Sequence, residues 1–272
     1  MKTDTIPLEP VPLSADQAEE MLQRQIKKHY LTSILLHWFN AFVWLFELLT
    51  GAALITSPYF RITPEWYLTI AQDVFGTRAS MLRFHVAVGI TWLVVFVVYG
   101  IFGFRAYLGW EVLQSKLFLD ADDRRWLVVR TLRILGRSRE PLPPQGIYNA
   151  GQKMFAQLVF AMTPVILVTG LIMAFRLFGA WAIGWAVVLH FVAVTSVVAG
   201  LMVHVYMGAV FPEEKPAFFS MITGTVNELF AYSHHFKWWR EMKLQEREWD
   251  RQHDAAATPP SESVADSPGL AQ

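Results

Sequence analysis

Four apolar runs, each near the length of about 20 residues that an α-helix needs to cross a bilayer, constrain this chain more than any other feature. They cover Ile34–Ile55, Leu82–Phe104, Phe155–Phe175 and Ile183–Phe211. Inside hydrocarbon every backbone N–H and C=O must find its partner within the segment, so runs of this kind fold as helices. The expected class is therefore all-α, an integral-membrane four-helix bundle over residues 34–211. Glu47 is the only formally charged residue well inside any run, where a hydrogen bond to another helix is its expected role, and Pro164 is expected to kink the third helix. The polar remainder divides into an N-terminal tail (1–33), a loop within the bundle (105–153), a segment of mixed aromatic and basic residues (212–250) and a tail (251–272) rich in Ala, Ser and Pro. The stretch Phe218 to Trp249 is expected to lie along the membrane surface, and the last tail to be disordered.

Charge placement orients the bundle. Of the 23 Lys and Arg, only Arg61, Arg78, Arg83 and Arg176 fall on the side opposite the termini and the long loop. The positive-inside rule then puts both termini and residues 105–153 in the cytoplasm. Arg78 and Arg83, near His85, read equally as interfacial anchors or as partners for haem propionates. Zero net charge offers no field for nucleic acid, and the acid- and Pro-containing first thirty residues do not read as a cleavable signal peptide. The absence of cysteine excludes disulfides, thiolate metal sites and covalently attached c-type haem.

Histidines mark the interior. His190 and His204 lie fourteen residues apart in the fourth run, a rise of about 21 Å and a net rotation of roughly 40°, so both imidazoles leave one side of the helix near opposite bilayer faces. The first run begins at the cytoplasmic face with His37, and the second begins at the outer face with His85. Depth therefore pairs His85 with His190 and His37 with His204, whichever way up the protein sits. Two imidazoles at one depth, without thiolate or carboxylate, provide axial ligands for a haem iron rather than a tetrahedral zinc set. Two b-type haems stacked across the bundle are expected. Gly51 falls fourteen residues after His37, and Thr50-Gly51 recurs as Thr169-Gly170, so both glycines are candidates for close haem packing. The competing reading makes the histidines interhelical hydrogen-bonding groups or proton carriers in a haem-free anchor or transporter. His29, His234, His235 and His253, in polar segments, are expected to be solvated.

The run Tyr148-Asn-Ala-Gly-Gln-Lys-Met154, with His204-Val-Tyr-Met-Gly208 and His234-His-Phe-Lys-Trp-Trp-Arg-Glu241 following in order, resembles the cytochrome b (gamma) subunit of membrane-bound respiratory formate dehydrogenase. The resemblance spans roughly residues 31 to 241; the N-terminal tail, middle loop and C-terminal tail depart from it. It implies a bacterial inner-membrane complex in which a molybdenum or tungsten alpha subunit oxidises formate and an iron–sulfur beta subunit relays electrons. The cytochrome passes them to quinone with proton uptake from the cytoplasm. It also implies that His37, His85, His190 and His204 are the haem ligands, and that quinone binds at Asn149 and Gly151 with Gln152 as a neighbouring candidate. Amide donors for quinone carbonyls suit that role, while helix capping is the ordinary role of such an Asn. A hydrogenase or thiosulfate reductase could use the same architecture. With no pterin or cluster ligands of its own, this chain is not expected to oxidise formate.

Overall fold

The computed structural model describes residues 6–55, 61–107 and 117–257. Its four long apolar helices are α2 (Leu31–Leu54), α4 (Arg78–Tyr107), α6 (Ala150–Ala174) and α7 (Gly179–Val205), so each expected span is present and starts a few residues earlier than the apolar pattern alone suggests. Their outward side chains, such as Phe42, Phe160, Trp181 and Val192, are exposed, as hydrocarbon-facing residues are. Helix α6 runs through Pro164 without interruption of its assigned span. Between α6 and α7, Gly200 admits the ring of Phe155 and the side chain of Leu158, which would lie 2.8 and 2.9 Å from a Cβ at that position. Helices α2 and α4 are tied by Trp92 Nε1 donating to Asn40 Oδ1 at 2.7 Å.

The shorter elements are α1 (Ala15–Gln23), β1 (Gln25–Lys27), α3 (Glu65–Phe75), α5 (Ala121–Ile134), α8 (Lys215–Thr223), β2 (Thr225–Asn227), α9 (Glu228–His234) and α10 (Phe236–Ala257). Local chemistry sets several boundaries. Asp120 and Asp123 form a reciprocal capping box at the start of α5, and Gly76, at φ 73°, ends α3 where a side chain would be strained. Helix α10 enters the stretch expected to be disordered, and the remainder of that stretch, 258–272, lies outside the described residues.

Two expectations fail at the end of the bundle that carries both termini. The segment Phe218–Trp249 does not merely lie along a surface: Phe230, Tyr232, Phe236 and Trp239 are buried with Ile26 and Val226 in one cluster. Strands β1 and β2 pair antiparallel with Ile26 opposite Val226. The Tyr232 hydroxyl donates to Val11 O (2.7 Å) and accepts from Val11 N (2.8 Å), while buried Glu228 collects Trp239 Nε1 (2.7 Å) and Lys243 Nζ (2.9 Å). Residues from both ends of the chain thus build one cap. His29 and His235, read as solvated, are buried in it. His235 Nδ1 donates to the Gly146 carbonyl at 2.7 Å and its Nε2 faces Lys28 Nζ at 3.1 Å. Burial pushes the His235 pKa well below its usual range and lowers Lys28 from 10.5 to about 8 against the opposing pull of Glu214. No local pattern reveals such partners, because they are more than two hundred residues apart.

The cap is pinned to the start of α6. Lys237 N donates to Gln145 O (2.9 Å), and Gln145 Oε1 accepts from Ala150 N (2.7 Å). Lys153 Nζ meets Asp123 Oδ2 at 2.7 Å, with the two side chains 6% and 1% exposed. Removing one member of a buried pair strands the other charge, so Lys153→Met is expected to destabilise by about 3–5 kcal/mol. Lys153→Met/Asp123→Leu is expected to recover much of the loss, read by thermal unfolding in detergent. Lys28 gives a pH signature. An unfolded Lys28 keeps its proton up to its ordinary 10.5 while the folded one releases it at about 8, so stability rises with pH between those values by as much as ~3 kcal/mol. Lys28→Met removes that rise, measurable as a flatter unfolding temperature between pH 8 and 10.

Candidate functional site

The four membrane histidines fall into two environments. His37, in the second turn of α2, and His204, at the end of α7, face each other with ring centres 6.4 Å apart and planes inclined by 54°. Phe155 stacks on His204 at 4.9 Å, and Trp38 meets His37 edge-on at 5.3 Å while donating its Nε1 to Met221 O. The Nδ1 of His37 is buried without a hydrogen-bond partner. Immediately after His204 the helix widens into a single π turn, Tyr206–Val210, a distortion often found beside functional residues.

At the other depth each imidazole is anchored. His85 Nδ1 lies 2.8 Å from Glu47 Oε2 and 2.9 Å from Thr50 Oγ1, whose own proton points to Phe46 O. His190 Nδ1 lies 3.1 Å from Ile166 O and 3.0 Å from Thr169 Oγ1, which donates back to Val165 O. A carbonyl can only accept, so His190 carries its proton on Nδ1 and presents a lone pair at Nε2; Thr50 Oγ1, its own proton given to Phe46 O, can likewise only accept from His85 Nδ1. Glu47 thus makes the interhelical hydrogen bond expected of it. Its partner is a candidate ligand rather than a structural group, which the sequence gives no means to see.

The repeated Thr-Gly pairs serve these two rings. A Cβ at Gly51 would stand 3.4 Å from His85 Cε1, and one at Gly170 3.5 Å from His190 Cε1. Each glycine therefore makes room for an imidazole on the neighbouring helix, and each threonine holds that imidazole's inner nitrogen. Sequence reasoning marked the glycines but missed Thr50, Thr169, Phe155 and Gly200. The recurrence of Thr-Gly and the spacing of Gly200 four residues before His204 were the available signals. Arg78 and Arg83 bond to Leu54 O and Ser80 Oγ at the outer end.

Whether these residues fit a haem iron can be tested on the inner pair. With metal–imidazole bonds of about 2.0–2.1 Å on each side, two rings sharing one ion have centres about 6 Å apart. The observed 6.4 Å agrees. At the other pair the hydrogen bonds of both rings engage Nδ1, and among the described residues Nε2 of His85 and of His190 makes none. Among the described residues no group of three or more His, Cys, Asp or Glu is placed to hold a bare metal ion.

The Tyr148–Met154 run opens α6. Asn149 caps the helix: its Oδ1 accepts from Gln152 N (2.9 Å) and Gln152 Oε1 accepts from Asn149 N (3.0 Å). The capping role is thus realised, yet it engages only the two side-chain oxygens. Among the described residues, the amide nitrogens of Asn149 and Gln152 carry no hydrogen bond. Gly151 faces the Trp126 ring of α5, 3.8 Å from where its Cβ would be, and Phe155 of the next turn stacks on His204. Gly151 and Gln152 thus lie about one turn, and Asn149 nearly two, before the residue that stacks on His204.

Residues 28–224 match the family model described as prokaryotic cytochrome b561. A formate dehydrogenase cytochrome b556 subunit of Haemophilus influenzae is 26% identical over 231 residues, covering 83% of this chain and 87% of that protein. The cytochrome b556(fdo) subunit of formate dehydrogenase from Escherichia coli is 26% identical over 214 residues, 76% of this chain and 88% of its own length. The nitrate-inducible subunit of the same organism is 29% identical over 131 residues, covering 47% of this chain and 58% of the relative.

The anchoring geometry has a direct spectroscopic consequence. In the chain without ligand, 15N spectra of labelled histidine are expected to show the proton on Nδ1 of both His85 and His190. Thr169→Val is expected to leave His190 in that tautomer, because Ile166 O still accepts. Gly170→Val is expected to abolish it by pushing the ring from the carbonyl.

Proposed function

Because this chain belongs to the prokaryotic cytochrome b561 family, we propose that it is the di-haem cytochrome b subunit of a formate dehydrogenase, delivering electrons to membrane quinone. The observation that carries this reading is the 6.4 Å separation of His37 and His204, two imidazoles from different helices set at the spacing of axial ligands. His85 and His190, with Nδ1 committed and Nε2 free, would ligate the outer haem; His37 and His204 the inner one. The haems, when bound, supply one-electron carriers at two depths of the membrane.

The rest of the mechanism belongs to the chain's own residues. Glu47, Thr50, Thr169 and the Ile166 carbonyl fix two rings in one tautomer and one orientation. Gly51 and Gly170 let the rings approach the backbone. Quinone would bind beside the inner pair, its carbonyls receiving the free amide N–H groups of Asn149 and Gln152, with Gly151 permitting close approach of the ring. Its two protons come from the cytoplasm, on which side the cap and the start of α6 lie in the proposed orientation. The electrons come from an iron–sulfur subunit at the outer face, itself reduced by a molybdenum or tungsten subunit. The formate assignment follows the names of the relatives; a hydrogenase or thiosulfate reductase would present the same four histidines. A haem-free anchor or transporter is disfavoured by membership of a cytochrome family and by the ligand-like spacing.

The test is haem quantified per purified chain with a reduced-minus-oxidised spectrum, together with identification of copurifying subunits. Wild type is expected to carry two b-type haems, with His190→Ala removing one and His204→Ala the other. A folded preparation without haem overturns the cytochrome reading, and loss of the same component in both variants overturns the pairing.

A further inference from the structure

Arg130, in the third turn of α5, is a largely enclosed cation with three of its five N–H donors unspent. Its side chain is 12% exposed. The guanidinium lies 4.9 Å from the ring of Phe211 and 5.9 Å from that of Trp126. Nη1 reaches Glu213 Oε2 at 3.6 Å, a long contact to a carboxylate that is itself 63% exposed. Nε and Nη2 are shut off from solvent and, among the described residues, have no acceptor. A buried N–H left unpaired costs about 1–3 kcal/mol, and more when it belongs to a charged group, so an arrangement of this kind implies a partner. The two empty nitrogens are not an arbitrary pair. They form the one side edge of a guanidinium whose N–H bonds run parallel, the edge that takes both oxygens of a carboxylate.

Position says which anion. Trp126, one turn before Arg130 on α5, packs against Gly151. Phe155, one turn beyond Gly151, stacks on His204, and Phe211 lies seven residues past His204 on the chain. Arg130 is thereby set on the cytoplasmic side of the His37/His204 pair, held by the residues that also shape that pair and the Asn149/Gly151 site. We propose that Arg130 is an anion site whose Nε/Nη2 edge clamps a carboxylate of the haem held by His37 and His204. The inference rests on the reading of that pair as haem ligands. In this role Arg130 positions the group and sets its potential: a fixed positive charge beside it favours the form that has gained an electron. Glu213, on the third nitrogen, moderates that charge. A phospholipid phosphate is the other anion with suitable oxygens at this depth, and the two sources give different results.

The experiment is a potentiometric titration of the purified haem-loaded chain, with bound phospholipid quantified. In Arg130→Gln, the component that disappears in His204→Ala is expected to become at least tenfold harder to reduce, a fall of about 59 mV for one electron, while the other component stays put. Arg130→Lys keeps the charge but loses the fork, so the same component is expected to fall by a smaller amount; it also serves if the glutamine variant does not fold. Unchanged potentials in whichever variant folds overturn the proposal. So does loss of tightly bound phospholipid with potentials unchanged, which assigns Arg130 to a lipid headgroup. A wild-type preparation lacking haem overturns instead the reading of His37 and His204, a distinguishable failure.

Discussion

A hydrogen bond to one nitrogen of an imidazole fixes which nitrogen stays free and where it points, and one end of the helical bundle is arranged around that interaction. At the outer depth a carboxyl, two threonine hydroxyls and one helix carbonyl take the Nδ1 protons of His85 and His190. Each acceptor is drawn from the long apolar helix that precedes the histidine's own, α2 for α4 and α6 for α7. The bundle is therefore two like helical hairpins, each with a Thr-Gly pair receiving the histidine of its second helix. Ordinary packing alone does not call for the same two residues at both places. An orienting hydrogen bond combined with close backbone approach does.

The inner depth is built differently. His37 and His204 are set by aromatic rings rather than by hydrogen bonds: Trp38 on one, Phe155 on the other, with Gly200 giving Phe155 its space. Around them converge the polar constructions of the end that carries both termini. The capping box at Asn149, the Lys153–Asp123 pair and the Gln145 bond to Ala150 all fix the first turn of α6. His235 and Lys237 fasten the cap to the same loop. The cap thus holds the segment nearest the His37/His204 pair in one conformation.

Much of this was legible in the chain. The four spans follow from apolar length, and the depth pairing of His37 with His204 from helix rise and topology. The Tyr148–Met154 run pointed to the segment beside the inner pair. The start of α5 at Asp120 carried a capping signal in its two aspartates three residues apart. Thr50-Gly51 and Thr169-Gly170 were visible as a recurrence, though only their glycines suggested a use. What was read wrongly has a common cause. His29, His235 and the aromatics of Phe218–Trp249 sit in polar stretches whose average character is that of a solvated segment, and their partners, Lys28, Ile26 and Val11, lie at the far end of the chain.

The sequence by itself determined the class of fold, the four candidate spans and the position of each histidine along its helix, because apolar length marks the helices and helix geometry converts residue spacing into rise along the axis. Tertiary structure alone decided which nitrogen of each outer imidazole is free, that Glu47 and the threonines hold them, that the two termini close into one cap, and that Arg130 is buried with an empty edge. Each of these depends on groups meeting across helices at distances of about 3 Å. Hydropathy and periodicity describe one helix at a time and carry no information about its rotation against the next.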